Sequence, residues 1–354
     1  MSVKNTEERP PEPDDSVSAG DAAAAAARLR SAGLMGVGQS LLRLRELSVV
    51  LVAAVLFLYF TIAKGNDFLN LDNLGNVANY TSDVTLIAAG EVMLLVCGEI
   101  DLSAGMMAAF VPIIMMTLQE SGFPILLALI VALLIAAAFG VFNGLITVIL
   151  KLPAFITTLG TLYLLHGITL KVSGSGPKGV PDTGTFTDVF GGWPWSEILW
   201  AITIAIVMQI VLSNTKWGAY TIATGGNFLG ASEAGIKVRT IKIRAFVVTS
   251  VFAGLAGVLD GIHISSNFDP NAGGNDLMFS AVAAAVIGGT ALLGGSGTVI
   301  GALFGAALLG ILQDGFNVVG LSATSFIIVE GVAIILAMVL NTQLTRFRRG
   351  AKAA

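Results

Sequence analysis

The sequence predicts an all-α fold, a polytopic membrane bundle of about ten transmembrane helices, some of them broken. Hydrophobic residues make up 55% of the 354 residues and charged residues only 12%, whereas a soluble domain carries about 25% charged residues. So little charge cannot cover a water-exposed surface, and the apolar residues must therefore face lipid. Apolar stretches long enough to cross a bilayer recur from residue 47 onward.

The predicted spans follow these apolar runs in order: 47–63, 77–97, 103–119, 124–149, 154–171, 196–213, 241–262, 277–292, 298–313 and 322–340. Glycines and a few acids interrupt the regions 77–119 and 277–313. These interruptions predict broken or half-spanning helices, which a bilayer tolerates only where protein covers the open backbone.

The basic residues predict the orientation. With ten spans and the N-terminus inside, all but three of the 19 Lys and Arg residues fall in cytoplasmic segments, the exceptions being Lys64, Lys171 and Lys178. Cytoplasmic loops carry this excess of positive charge, so both termini are predicted to be cytoplasmic. The loop 172–194 is then extracytoplasmic, and its Trp193 and the following Trp195 suit the membrane interface.

The chain divides into three predicted parts. Residues 1–40 form a disordered cytoplasmic tail, because their start is polar and acidic and has no apolar segment of a secretory signal. Residues 41–345 form the transmembrane domain, and residues 346–354 a basic cytoplasmic tail. Within the domain, the loop 214–244 is basic at both ends and contains FLGASEAGI, a candidate short amphipathic helix. Such a helix suits a soluble partner, and the alternative is a basic loop near anionic headgroups.

Several classes of chemistry are disfavoured by the sequence. The single cysteine, Cys97, rules out an intrachain disulfide. His166 and His263 stand apart from any ligand cluster or nucleophile, so we expect neither a metal site nor an intramembrane enzyme. The chain contains no Gly-Lys dipeptide, so the P-loop pattern is absent and we expect no ATP hydrolysis by that route. We therefore expect this chain to bind no cofactor and to lack an ATPase motif of its own.

Glycine is abundant, with 42 residues, and many lie at small-residue spacing within predicted helices. This spacing lets helix backbones approach closely in lipid, and it predicts tight helix packing at Gly140, Gly144, Gly254, Gly257, Gly297, Gly301, Gly305 and Gly310. The stretches LIAAGEVMLLVCGEIDLSAGMMAAF and AVAAAVIGGTALLGGSGTVIGALFG share an order of helix, glycine-rich break and helix. One interpretation of this shared order is an internal repeat, which is common in transporters.

Charge inside the apolar segments is the main functional signal. Glu99 and Asp101 directly follow a predicted span, where charge is costly and suggests function. Asp101 also precedes Ser103 at the start of an apolar run, which suits a helix cap, and we favour capping and a structural bend. The competing hypothesis is an ion-coupled secondary carrier, whose coupling residues would be Glu91, Glu99, Asp101, Asp260 and Glu330.

Four segments resemble the permease subunit of ribose, xylose and galactose ABC importers, in order from about residue 47 to 342: IAAGEVMLLVCGEIDLSAG, FNGLITVILKLPAFITTLGTLYLLHGITL, TKWGAYTIATGGNFLGASEAGI and DLMFSAVAAAVIGGTALLGGSGTVIGALFGAALLGILQDGFNVVG. The family block GGIDLSxG is matched by Gly98, Ile100, Asp101, Leu102, Ser103 and Gly105. The block VIGGTxxxGGxG is matched by Val286, Ile287, Gly288, Gly289, Thr290, Gly294, Gly295 and Gly297.

The resemblance implies an ABC importer permease fold that translocates a monosaccharide into the cytoplasm across the bacterial inner membrane. It implies a second permease copy or a paralogue, an ATPase subunit that uses ATP, an extracytoplasmic sugar-binding protein, and no nucleic acid. Cargoes such as nucleosides, branched-chain amino acids or an autoinducer share this architecture and stay open.

The resemblance also implies site residues. The docking block GGNxxAAxxxGI, and with it coupling to the ATPase, falls on Gly225, Gly226, Asn227, Ala231, Gly235 and Ile236, together with Glu233 at a variable position. We expect the translocation path or its gate at Glu91, Glu99, Asp101, Ser103, Asn143, Gly288, Gly289 and Thr290. Glu99 replaces a usual glycine, Glu91 a usual uncharged residue and Gly230 a usual alanine, and the two glutamates leave the identity of the sugar open.

Overall fold

The computed structural model describes residues 45–181, 184–264, 267–272, 274–322 and parts of 324–339. The predicted tails, 1–40 and 346–354, lie outside the described residues. The predicted last span, 322–340, lies partly outside them, and its described segment 327–333 is helical.

The described chain is almost entirely helical, which confirms the predicted fold class. Its main helices are α1 (Arg45–Lys64), α2 (Leu71–Val96), α3 (Ala104–Glu120), α4 (Ile125–Ile149), α5 (Ala154–Ser173), α6 (Ser196–Asn214), α7 (Lys216–Gly226), α8 (Phe228–Glu233), α9 (Val238–Ile264), α10 (Gly274–Ile287) and α11 (Val299–Val319). Shorter turns lie at Asn66–Leu69, Thr185–Thr187 and Asp188–Gly192. Two-residue strands, β1 (Lys178–Gly179) and β2 (Asn267–Phe268), pair antiparallel.

Six of these helices are long and apolar enough to cross a membrane: α1, α4, α5, α6, α9 and α11. The large apolar side chains on α1, α4 and α5 point away from the protein, and Ile62, Leu134 and Tyr163 are 76%, 64% and 68% exposed. Soluble proteins rarely expose so large an apolar surface to water. The chain is therefore a multi-pass integral membrane protein.

Helix α2 forms the centre of the bundle. Every residue from Thr81 to Cys97 is buried, because α6, α9, α10 and α11 all pack around this half of the helix. Protein rather than lipid surrounds the polar side chains here, which explains how an inner helix can carry Asp83 and Glu91.

Both predicted interruptions are real. Residues 97–103 separate α2 from α3, and residues 288–298 separate α10 from α11. Helix α10 has only 14 residues, or about 21 Å at 1.5 Å per residue, which is short of a hydrocarbon core of about 30 Å. The chain thus enters the bundle and breaks before completing this crossing.

Glycines bring the inner helices into backbone contact, as their spacing predicts. A Cβ atom at Gly140 of α4 would lie 2.6 Å from the Cα of Val247 in α9, and one at Gly144 would lie 2.9 Å from the Cα of Ile243. On the other side of α9, a Cβ at Gly257 would overlap the backbone of Ala108 in α3. Helix α9 is therefore clamped between α4 and α3 at distances that only glycine permits.

The connecting segments separate into two ends. At one end lie 97–103, 150–153, 215–237 and 288–298, with the basic residues Lys151, Lys216, Lys237 and Arg239. We call this the basic end. At the opposite end, Lys178 pairs with Glu120 at 2.5 Å, and His263 Nδ1 lies 2.9 Å from the Gly191 carbonyl oxygen. Successive loops alternate between the ends, as the predicted order of spans requires.

Candidate functional site

Three segments that are distant in sequence meet at the basic end. The Gly295 N–H donates to the Val96 carbonyl at 2.9 Å. A Cβ atom at Gly225 would overlap that same carbonyl oxygen, and one at Gly294 would lie 3.0 Å from the Gly225 oxygen and 3.1 Å from the Gly98 nitrogen. The end of α2, the end of α7 and the 288–298 break therefore touch backbone to backbone. We call this contact the glycine junction.

The predicted docking residues extend outward from this junction. Asn227 directly precedes α8, and its side chain accepts the Gly230 N–H at 2.9 Å, as an N-cap does. Ala231 is buried against the bundle, whereas Phe228 and Leu229 are 48% and 71% exposed. Exposed apolar side chains at a basic, polar end of the bundle suit a protein partner.

The far end of the docking block is a tight turn. Gly235 has φ +81°, a left-handed conformation that favours glycine. The turn connects Glu233, which is exposed, with Ile236, which is partly buried against the main core. The segment 225–236 is thus a short helix with a capped start and a glycine turn at its finish, anchored on one face and open on the other.

A polar network stabilises the start of α3. The carboxylate of Asp101 accepts the Ser103 N–H at 2.8 Å and the Ser103 hydroxyl at 2.5 Å. Asn143 of α4 donates to the Ser103 hydroxyl oxygen at 3.0 Å, and Thr161 of α5 donates to the Asn143 side-chain oxygen at 2.6 Å. All four residues are buried. This geometry fits the capping role favoured for Asp101, and the chain of hydrogen bonds through Ser103 and Asn143 joins the start of α3 to α4 and α5.

The two unusual glutamates have different surroundings. Glu99 forms an ion pair with Lys242 of α9, and each side chain is 15% exposed. Glu91 is fully buried in α2, and neither of its carboxylate oxygens accepts a hydrogen bond from the described residues.

The remaining path candidates lie in the 288–298 break. Gly288 and Thr290 are buried, Gly289 has φ +97°, and a Cβ at Gly288 would overlap the backbone of Gly301. These residues close the start of α11 onto the end of α10. Together with Asp101, Ser103 and Asn143 they pack in the interior of the subunit, so their role in the path stays a prediction.

Sequence reasoning missed Gln209, an isolated polar residue in apolar α6. Its side-chain oxygen accepts the Val299 N–H at 2.8 Å, the Ile300 N–H at 3.1 Å and the Thr298 hydroxyl at 3.0 Å. It therefore caps the first turn of α11 from a neighbouring helix. The signal was available, because a lone glutamine in an otherwise apolar span needs a partner.

A second missed feature is a group of acidic residues towards the opposite end. Asp83 of α2, Glu197 of α6 and Asp260 of α9 interact electrostatically across three helices. Both Glu197 carboxylate oxygens and Asp83 Oδ1 lack a hydrogen-bond partner among the described residues. A small cavity of about 60 Å³ beside Asp260 is also lined by Pro112, Gly257 and Asp269. Of these acids, only Asp260 was considered from the sequence.

Comparison with known proteins places this arrangement in a family. A family model described as "Branched-chain amino acid transport system / permease component" matches residues 73–338. The chain is 35% identical to the xylose/arabinose import permease protein of Sulfolobus acidocaldarius over 84% of each chain. It is 32% identical to the ribose import permease protein of Escherichia coli K12, over 83% of this chain and 92% of the relative.

A third relative carries a different cargo name. The autoinducer 2 import system permease protein of Photorhabdus laumondii is 32% identical, over 85% of this chain and 90% of its own. No solved structure matches the chain. The family match covers both broken helices, the docking segment and the glycine junction. The chain belongs to the family of permease components of the branched-chain amino acid transport system type, and its relatives are import permeases for sugars and for autoinducer 2.

Proposed function

We propose that this chain is the membrane-spanning permease subunit of an ATP-binding cassette importer that moves a monosaccharide such as ribose, xylose or arabinose into the cell. The observation that carries the proposal is the placement of the docking segment. It projects from the basic end while its root, Gly225, touches the last residue of α2 and the 288–298 break. A push on α8 therefore reaches the two broken helices through direct contact.

The proposal fixes an orientation. The basic end faces the cytoplasm, because positive residues accumulate on that side. Both termini are then cytoplasmic, and the paired strands β1 and β2 belong to the extracytoplasmic end, where a sugar-binding protein would dock. In this assignment the protein is a multi-pass component of a bacterial inner membrane, with the domain limits 1–40, 41–345 and 346–354.

In the proposed importer, different subunits hydrolyse ATP and form the pore. It has no P-loop, so a separate ATPase subunit binds and hydrolyses the ATP. A second copy of the chain, or a paralogue, completes the pore. ATP-driven closure of the ATPase moves α8, the two permease subunits rock, and the central path opens alternately to each side. A neutral sugar needs only transient hydrogen bonds along that path, since tight binding would slow release.

Three of the five acids expected of an ion-coupled carrier already have an ion-pair or hydrogen-bond partner. Glu99 pairs with Lys242, Asp101 is held by Ser103, and the Ser280 hydroxyl donates to Glu330 at 2.5 Å. These partners, together with the family membership, support the ATP-driven importer over the ion-coupled carrier.

Substitutions in the docking segment test the proposal. Glu233 is exposed, so Glu233→Arg should leave the fold intact and lower capture of the ATPase subunit, with loss of ATP-dependent uptake. Gly235→Val should also lower capture of the ATPase subunit and ATP-dependent uptake, because valine strains the left-handed turn. Asp67→Arg is the matched control, because Asp67 is an exposed acid at the opposite end. Normal assembly and uptake in both docking variants would contradict the docking role.

The cargo is identified by a separate measurement. Calorimetry on the cognate binding protein with ribose, xylose, arabinose and galactose should give tight binding of one of them. Preferential binding of a branched-chain amino acid, a nucleoside or autoinducer 2 would replace the sugar and leave the importer assignment intact.

A further inference from the structure

One ion pair lies where the docking segment meets the broken helix. Glu99 follows the end of α2 by three residues, and Lys242 lies in the second turn of α9. Both side chains are 15% exposed, so most of each charge is removed from water. A largely buried charge is strongly disfavoured without its partner. The pair therefore holds the 97–103 break against α9 by a directional contact.

The same ammonium group also reaches the docking helix. Lys242 Nζ lies 5.3 Å from the centroid of the Phe228 ring, within the range of a cation–π contact. Phe228 is the first residue of α8. One side chain thus touches the segment proposed to receive force and the break that interrupts the central helix.

The backbone contacts at this place involve mainly glycine. Val96, Gly225 and Gly294 to Gly295 meet largely through backbone atoms, the Val96 side chain packs against Gly297, and the Gly295 N–H donates to the Val96 oxygen. Glycine allows this close approach and contributes no side chain of its own to interlock. A directional side-chain contact would therefore add to the backbone contacts in transmitting a displacement of α8 to the break.

We propose that the Glu99–Lys242 pair is that contact: it links α8, through Phe228, to the 97–103 break, so that movement of the ATPase shifts the start of α3 and the end of α2 together. The inference rests on the proposed function and deepens it. Glu99 and Lys242 are positioning residues, which act through the helices and need not touch the cargo. The alternative is a static brace, an ion pair that stabilises the fold and transmits no movement between the helices.

The test compares coupling with assembly in proteoliposomes that contain the chain, its ATPase subunit and the binding protein. We expect Glu99→Gln to keep the affinity for the ATPase subunit within about twofold. We also expect it to lower cargo moved per ATP hydrolysed by about tenfold, which corresponds to about 1.4 kcal/mol. Glu99→Asp, which keeps the charge, should recover part of the loss. Glu120→Gln is the control, because Glu120 forms an ion pair with Lys178 at the opposite end, and its cargo-to-ATP ratio should equal that of the wild type.

Two further variants keep the test decisive. Phe228→Leu should lower the same ratio, and its combination with Glu99→Gln should cost less than the product of the two single effects, since both act through Lys242. If Glu99→Gln does not assemble, the charge-swapped double variant Glu99→Lys with Lys242→Glu should assemble and exceed either single reversal in cargo per ATP.

Other outcomes would overturn the inference. An unchanged cargo-to-ATP ratio in Glu99→Gln, with or without a lower unfolding temperature, means a static brace. Reduced capture of the ATPase subunit, with an unchanged ratio for the assembled complexes, means a docking residue. A wild-type complex without any ATP-dependent uptake would instead refute the proposed function, and this result is distinguishable because it appears before any substitution.

Discussion

The glycine junction makes a sharp prediction about two adjacent residues. Gly225 and Gly226 are the last two residues of α7. A Cβ atom at Gly225 would overlap the Val96 oxygen and lie 2.8 Å from the Gly295 nitrogen, whereas one at Gly226 would find only the Gly295 Cα, at 3.7 Å. Alanine at 225 must therefore force the junction open, whereas alanine at 226 fits in ordinary contact with the described residues around it.

The expected magnitude follows from the contacts that are lost. Opening the junction removes the Gly295 N–H to Val96 hydrogen bond, 2.9 Å long, which costs about 1 kcal/mol. Overpacking of a dense interior adds about 1–3 kcal/mol. Both substitutions gain the same helical preference of alanine over glycine, about 0.5–1 kcal/mol, so this gain cancels in the comparison. Gly225→Ala should thus be less stable than Gly226→Ala by about 2–4 kcal/mol.

The assay is thermal unfolding of the two variants in the same detergent, followed by ATP-dependent uptake after reconstitution. Gly226→Ala should unfold at or above the wild-type temperature, and Gly225→Ala several degrees lower, with weaker coupling to the ATPase. Equal unfolding temperatures, or a more stable Gly225→Ala, would refute the close contact between α7 and the two breaks.

Three further predictions concern the packing and the caps. Asn143→Ala removes the donor to Ser103 and the acceptor for Thr161, and it should destabilise the detergent-solubilised protein by about 1–3 kcal/mol in thermal unfolding; an unchanged unfolding temperature would contradict the network. Gly140→Leu should separate α4 from α9 and abolish folding-competent expression, while Gly160→Leu, at a position where an added Cβ would meet no described atom within 4 Å, should express normally; equal expression would contradict the packing. Gln209→Leu should remove the acceptor of the Val299 and Ile300 N–H groups at the start of α11 and lower the unfolding temperature more than Ile210→Leu on the exposed side of the same helix; the opposite order would rule out the cap.

Most of the helices could be predicted from the sequence, because lipid demands long apolar runs. Helices α4, α5 and α6 begin and end within two residues of the predicted spans. The prediction was wrong at the start of α2, which begins at Leu71 rather than at 77. The stretch 71–83 contains three Asn and two Asp, and neighbouring helices rather than lipid cover the part of it that lies within the bundle.

The end of α10 is a second boundary that the apolar pattern predicts wrongly. The run of small apolar residues predicts a helix to 292, whereas α10 ends at Ile287. Gly289 adopts φ +97°, so the backbone turns within the apolar run, where hydrophobicity alone gives no signal. The sequence predicts a glycine-rich break in this region, but only the structure shows that the turn closes onto α11.

The site was predictable in its parts and unpredictable in its assembly. The glycine blocks around residues 98, 225 and 294 each stood out in the sequence. No spacing rule places them together, because residues 98 and 225 are 127 positions apart and residues 225 and 294 are 69 positions apart, and their contact depends on how α2, α7 and the 288–298 break pack. The partner of Glu99 was hidden for the same reason, since Lys242 lies 143 positions away.

The central claim is that another protein's ATP hydrolysis drives transport through this chain. Its most direct test is uptake of labelled pentose into proteoliposomes that contain the chain, its ATPase subunit and the binding protein. ATP is supplied on the side of the membrane that the basic end faces. We expect accumulation that stops without ATP, without the ATPase subunit or with a hydrolysis-deficient ATPase. Uptake by the chain alone, collapsing when an ionophore removes a proton or sodium gradient, would contradict it.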